Sequence, residues 1–201
     1  MYQNFTERAV RVMQFADQEA KRLNRRRVSD EHILLGLIKE GSGVVGVVFS
    51  NLDVRLNVIR LEVEKLVRVG RDTEAKGRLP LTAYAKQVIK DATEESLSLG
   101  RERVGPEHIL LGLLHNHGWI STMALLSLGL KLEEIREEVL CLLGHDFEDP
   151  STTEVTKPTS ECLRDEFVHL KEALDRPKMN DISAIRLATQ YINRMKRTFS
   201  P

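Results

Sequence analysis

The seven-residue string EHILLGL occurs twice in this chain of 201 residues, at positions 31–37 and 107–113. Shifting the chain by 76 positions aligns residues 5–68 with residues 81–144 without a gap, and 23 of the 64 aligned pairs are identical. Because the identities extend along the whole aligned segment, they indicate two copies of one folding unit rather than one short motif used twice. The chain is therefore expected to fold as a tandem repeat.

Each copy has the apolar periodicity of four helices. In the first copy, apolar residues recur at spacings of three and four over residues 9–23, which predicts an amphipathic helix. A second helix is predicted after Ser29, a good N-cap, and its equivalent after Gly105, with Pro106 at the first helical position. The predicted fold class is all-α: two tandem four-helix repeats, about eight helices in total, related by a pseudo-twofold axis.

A short apolar helix over residues 44–52 and a fourth helix complete the first copy, and both have equivalents in the second copy. Apolar spacing predicts which of their residues face the core. These residues are Leu56, Ile59, Val63 and Leu66 in the first copy, and Met123, Leu125, Leu128, Leu132, Ile135, Val139 and Leu142 in the second. Cys141, in the same apolar run, is expected to be a small buried residue.

The domain organisation follows from where the repeat stops. We expect a repeat domain over residues 1–146, made of repeats 5–70 and 81–146, and then a polar, Pro- and Thr-rich linker over residues 147–160. Residues 161–201 have two narrow apolar stripes, which predict a helical hairpin tail. This tail is too small to form a core by itself, so it is expected to dock on a partner, on a second copy or on the repeats.

Composition argues against several classes of partner. The 30 basic and 30 acidic residues cancel, so no net field attracts nucleic acid or an anionic membrane. The five cations within residues 21–27 are interpreted as a solvated helix end rather than a nucleic-acid patch, because cations are favoured there. Two cysteines make no disulfide framework, and no apolar run has signal-peptide or membrane-spanning length. We expect a cytoplasmic protein.

No enzyme motif or metal site is apparent. The chain has neither a G-x-x-x-x-G-K-[ST] loop for ATP nor a G-x-S-x-G elbow, so we expect no catalytic residue and no cofactor. His32 and His108 stand inside the duplicated motif and are interpreted as packed or helix-capping residues rather than metal ligands. His115 and His117 are expected to be solvated loop residues.

The segments FTERAVRVMQFADQEAKRL, VSDEHILLGLIKEGSGVVGVVFSNLDV and VGPEHILLGLL closely resemble the double Clp repeat, the N-terminal domain of the Clp ATPases and above all of the ClpC type. In that family the domain is a receptor for substrates and adaptors, joined to AAA+ modules that thread proteins into the ClpP protease. The resemblance implies a non-enzymatic receptor whose partners are protein substrates or adaptors, and possible partners are a Clp ATPase or a ClpP-type protease. The alternative is a structural or regulatory accessory protein that binds the Clp complex through its C-terminal helices.

The resemblance also implies a ligand site at each EHILLGL motif. Some ClpC-type domains bind phosphoarginine through the glutamate of this motif and groups at the start of the first helix, which pairs Glu31 with Thr6 and Glu107 with Thr82. The alternative is that each glutamate only complements the dipole of its helix. This sequence has Asp30 where the family usually has threonine, and Pro106 lacks the equivalent N–H donor.

Overall fold

The computed structural model describes residues 2–70 and 77–144, so the predicted linker and helical tail lie outside the described residues. Within these two ranges the chain forms eight α-helices and no β-sheet, which confirms the predicted all-α repeat fold. The helices of the first copy are α1 Glu7–Arg22, α2 Asp30–Glu40, α3 Gly43–Asn51 and α4 Leu56–Leu66. Those of the second copy are α5 Ala83–Ser98, α6 Pro106–Leu114, α7 Ile120–Ser127 and α8 Leu132–Gly144.

The two copies are joined by exchanged backbone contacts. The loop before α1 pairs with the loop before α6, where the Thr6 N–H donates to the Val104 carbonyl at 3.0 Å. The equivalent exchange pairs the loop before α5 with the loop before α2, where the Thr82 N–H donates to the Val28 carbonyl at 2.8 Å. Helix packing follows the same exchange, since α4 packs on α7, α3 on α8, and α2 on α6. The predicted pseudo-twofold relation is confirmed.

The isoleucine and leucine residues of the duplicated motif form the centre of the core. All eight of their side chains are fully buried, namely Ile33, Leu34, Leu35, Leu37, Ile109, Leu110, Leu111 and Leu113. The glycine of each motif lets two helices approach closely: a Cβ on Gly36 would lie 2.4 Å from the Val12 carbonyl oxygen of α1, and one on Gly112 would lie 2.7 Å from that of Val88 on α5. The motif therefore encodes both an apolar surface and the close contact of the first two helices in each repeat.

A partly buried ion pair, with a buried glutamate in each copy, is duplicated as well. Arg60 donates to Glu19 at 2.7 Å, and the equivalent Arg136 donates to Glu95 at 2.7 Å. Burial by itself raises the pKa of the Glu95 carboxyl, but hydrogen bonds from Arg136 and His115 outweigh it and lower that pKa. His115 is exposed just after the end of α6, as expected of a solvated residue, but it also contacts Glu95 at 2.6 Å, a contact that was not predicted. The identical Glu and Arg in both copies were a sequence signal for this contact.

Three residues that were predicted to be buried are exposed or only half-buried. Leu66 is 38% exposed, because α4 ends there and the extended backbone at Val67 turns that valine inward instead. Met123 is 48% exposed, since the buried residues of the short helix α7 include its neighbours Thr122 and Ala124 but not Met123. Cys141 is only half-buried, because it lies beside the buried stripe of α8 rather than on it.

No single helix in the described ranges is both long and apolar enough to cross a membrane. The helices α2 and α3 reach that length and composition only when taken together, and they are bent by 93° relative to each other.

Candidate functional site

Three helix starts converge on one open cleft of about 560 Å³. Its lining includes the N-cap residues of α2, α5 and α7, which are Ser29, Thr82 and Trp119. The first of these comes from repeat one and the other two from repeat two, so neither repeat forms the cleft by itself. Helix N-termini carry partial positive charge and backbone N–H groups outside the helical hydrogen-bond pattern, so their convergence favours an anionic ligand.

The cleft is also lined by Arg25, Arg26 and Arg27. The Nε atom of Arg25 is buried and has no hydrogen-bond partner in the described part of the chain. Arg22, Arg26 and Arg27 are exposed, as the interpretation of residues 21–27 as a solvated helix end predicts, whereas Arg25 is half-buried. Arg25, Arg26 and Arg27 together also form one wall of the cleft. The guanidinium groups add full positive charge to the partial charges of the helix starts.

Glu31 places a carboxylate in this positive environment. The residue is only 4% exposed, and its Oε2 atom is buried without a hydrogen-bond partner among the described residues. Burial raises the pKa of the Glu31 carboxyl to about 7, and the charge of neighbouring Asp30 contributes in the same direction. Near neutral pH the side chain is poised between its neutral and ionised forms, and Oε2 has unused capacity to accept a hydrogen bond.

His32 caps its own helix, as predicted. Its Nδ1 atom accepts a hydrogen bond from the Ser29 N–H at 3.0 Å, and the equivalent His108 accepts one from the Gly105 N–H at 2.9 Å. Burial lowers the pKa of His32 to about 4, with the charge of Arg25 next in importance, so the ring is neutral and its proton lies on Nε2. No group of three His, Cys, Asp or Glu side chains within residues 2–70 and 77–144 is placed to hold a metal ion.

Asp30 has a structural partner that the sequence did not reveal. Its Oδ2 atom accepts a hydrogen bond from the Ser121 N–H in the first turn of α7 at 3.0 Å, and Oδ1 accepts one from the Ser29 hydroxyl at 3.0 Å. The carboxylate therefore caps a helix of the other repeat, which accounts for aspartate at this position. The negative charge of Asp30 is balanced by the positive end of the α7 dipole. Glu31 is then the buried carboxylate at this site that has an oxygen without a partner among the described residues.

The threonines are paired with the glutamates in the opposite way to the prediction. The Thr82 hydroxyl donates to the Ser29 hydroxyl at 3.2 Å, and Thr82 and Glu31 line the same cleft. Thr6 instead pairs with Val104, three residues before Glu107. The expected pairs Thr6 with Glu31 and Thr82 with Glu107 were wrong, because the backbone exchange brings the start of the first helix of each repeat next to the start of the second helix of the other repeat.

A family model described as the Clp repeat (R) N-terminal domain matches residues 4–124 and, in a second match, residues 80–164. The chain belongs to the Clp N-terminal domain family. It is 35% identical over 182 residues to a ClpA homolog of Guillardia theta described as an ATP-binding subunit of the ATP-dependent Clp protease, a match that covers 90% of this chain and 22% of that protein. It is 34% identical to the chaperone protein ClpB of Oceanobacillus iheyensis, over 96% of this chain and 25% of that protein.

This Clp N-terminal domain thus spans no more than a quarter of the length of these two relatives. Among solved structures, the N-terminal domain of Hsp104 from Candida albicans has the same fold, with a TM-score of 0.64 at 18% identity. That match covers 75% of this chain and 98% of the Hsp104 domain. The predicted family and the tandem-repeat fold are confirmed.

Proposed function

We propose that this Clp N-terminal domain is a non-enzymatic receptor that captures protein substrates or adaptors for a Clp unfoldase or protease. The observation that carries the proposal is the buried Glu31 carboxylate, whose Oε2 atom has no hydrogen-bond partner among the described residues, in a cleft walled by three arginines and three helix starts. A buried charge is costly unless it is paired, so such an arrangement favours a function in binding over a function in stability.

Phosphoarginine in a protein segment is the ligand we propose for this cleft. Its planar guanidinium group donates to the Glu31 carboxylate, and its phosphate lies near the arginine wall and the start of α5 at Thr82. Both charges of the ligand then have an opposite charge beside them. Thr6 and Glu107 are the equivalent residues at the second motif, where the family resemblance predicted a second site.

Isothermal titration with free phosphoarginine tests this ligand. The wild-type chain should release heat at pH 8, where Glu31 is ionised, and Glu31→Gln should weaken binding by about tenfold or more, because a neutral amide replaces a charged acceptor. Leu97→Ala, on the exposed surface of α5, is the control and should bind as the wild type does. The absence of heat from the wild-type chain would rule out phosphoarginine as the ligand.

A capture experiment tests the receptor function more broadly. Immobilised wild-type chain is expected to retain arginine-phosphorylated proteins and a Clp ATPase from a native lysate, whereas Glu31→Gln retains fewer of the phosphorylated proteins. If both forms retained the same proteins in the same amounts, the cleft would have no function in capture.

A further inference from the structure

The surroundings of Glu31 and Glu107, the first residues of the two EHILLGL motifs, are lined by different side chains. In the Glu31 cleft, Tyr84 and Trp119 meet edge to face, with their ring centroids 5.9 Å apart at an interplanar angle of 61°. In the internal alignment these residues correspond to Arg8 and Gly43 of the first copy. The aromatic surface beside Glu31 is thus replaced by an arginine and a glycine beside Glu107.

At the second motif, which begins at Glu107, the Arg8 side chain occupies the space in front of α3. It donates to both carboxylate oxygens of Glu40, at 3.0 and 3.1 Å, and to the Ser42 hydroxyl at 2.8 Å. A Cβ on Gly43 would lie 2.4 Å from an Arg8 guanidinium nitrogen, so this side chain lies directly against the backbone where Trp119 stands in the other copy. The salt bridge is bidentate and partly buried, which makes it costly for a ligand to displace.

The unpartnered polar atoms are distributed unequally as well. Arg25 Nε, His32 Nε2 and Glu31 Oε2 are buried without partners, and all three of these residues line the Glu31 cleft. They offer two donors and one acceptor to one ligand. At the second start, the one comparable atom in the described ranges is Nε2 of His108.

We infer that the chain binds one ligand, at the Glu31 cleft, and that Tyr84 and Trp119 select a segment with an apolar side chain next to its anionic residue. The inference rests on the proposed receptor function and adds to it a stoichiometry and a second recognition element. The anionic group faces Arg25 and the helix starts, a donor of the ligand faces Glu31, and the neighbouring apolar side chain packs on the aromatic pair. Phosphate and carboxylate share this chemistry, so the test includes both.

Trp119 is the sole tryptophan of the chain, and its fluorescence therefore reports directly on the cleft. Three blocked tetrapeptides serve as probes: glycine-phosphoarginine-leucine-glycine, the same peptide with glycine in place of leucine, and the first peptide with glutamate in place of phosphoarginine. Each is titrated by fluorescence for affinity and by calorimetry for stoichiometry. The glutamate peptide distinguishes a general anion site from one that requires phosphate on arginine.

The expected result is one site per chain, with a change in Trp119 fluorescence that saturates at the same ratio. Tyr84→Ala should weaken the leucine peptide about five- to tenfold, since part of an apolar side chain loses its contact. It should leave the glycine peptide within about twofold of its wild-type affinity, a difference that a change in fold would not produce. Glu107→Gln should leave the stoichiometry at one.

Two sites per chain, with one lost in Glu107→Gln, would overturn the inference while the receptor function stood. Equal losses for both phosphorylated peptides in Tyr84→Ala would overturn the selection by the aromatic pair. If no peptide changed the fluorescence or released heat, the inference would fail together with the proposed ligand.

Discussion

Glu31 keeps its proton at a pH where an exposed glutamate has lost it. Burial raises the pKa of its carboxyl from 4.5 to about 7, so between these values the folded state binds a proton that the unfolded state has released. The stabilising contribution of this proton is complete below about pH 4.5 and is lost as the pH rises through about 7. Ionised Glu31 therefore lowers the stability of the domain under conditions where it is ready for a ligand.

Glu31→Gln should remove this pH dependence. Relative to the wild type, the free energy of unfolding of the variant should rise between pH 5 and 8, by up to about 3 kcal/mol, because glutamine has no charge to bury. Urea unfolding at several pH values measures the difference, and His32 contributes equally to both proteins. A difference that stays constant over this range would contradict the raised pKa.

The helix-capping function of Asp30 is also a residue-scale feature. Asp30→Ala removes the acceptor for the Ser121 N–H and should lower the free energy of unfolding by about 1–2 kcal/mol. Asp53→Ala is not a matched control, since Asp53 has a positive φ of 56°. The control Ser98→Ala, at the exposed end of α5, removes a hydroxyl that donates to the Glu95 carbonyl at 2.9 Å and should cost less. Amide exchange at Ser121 should accelerate only in Asp30→Ala, and unchanged exchange there would contradict the cap.

At the scale of the elements, the glycine in each motif fixes how closely two helices pack. The backbone of α1 approaches Gly36, and that of α5 approaches Gly112, too closely for a side chain. Gly36→Ala should lower the free energy of unfolding by about 1–3 kcal/mol through overpacking, although alanine favours a helix. The control Gly144→Ala, with open space around it in α8, should be neutral or stabilising. Equal effects of the two changes in urea unfolding would contradict the close approach.

The elements also show what could be predicted from the sequence. The duplication and the apolar spacing predicted the helices and their order, because both depend on local pattern. Leu66 and Met123 were predicted as core residues because periodicity does not mark where α4 ends or how little of α7 is covered. The crossed pairing of Thr82 with Glu31 was beyond prediction from one copy, since it arises only when two copies exchange their loops.

The aromatic wall of the cleft was missed for a different reason. Tyr84 and Trp119 are positions where the two copies differ, whereas the predicted ligand residues Thr6, Glu31, Thr82 and Glu107 are positions where the copies agree. In a duplicated domain the identical positions report the shared core, as Gly36 and Gly112 do. The differences show where one copy has acquired a surface of its own, so the signal was present in the internal alignment.

At the scale of the whole molecule, the exchanged loops and the packing of α4 on α7 and α3 on α8 make the repeats mutually dependent. We expect the two repeats to unfold together in one cooperative transition. Trp119 fluorescence in repeat two should therefore report the destabilisation that Gly36→Ala causes in repeat one. The loss of unfolding free energy measured from the urea transition of Trp119 should equal the loss measured by amide exchange in α2. A Trp119 transition that stayed at the wild-type midpoint would show that the repeats unfold independently.

We propose that one cleft, built by both repeats around Glu31, is where this Clp N-terminal domain holds its ligand. Nuclear magnetic resonance of the ¹⁵N-labelled chain, titrated with phosphoarginine at pH 8, tests this directly. Backbone amide signals from residues 25–32, 82–84 and 119–121 should shift together and saturate, while those of Gly105, Glu107 and His108 stay in place. The absence of any shift, or shifts confined to residues 105–108 and the start of α1, would contradict the claim.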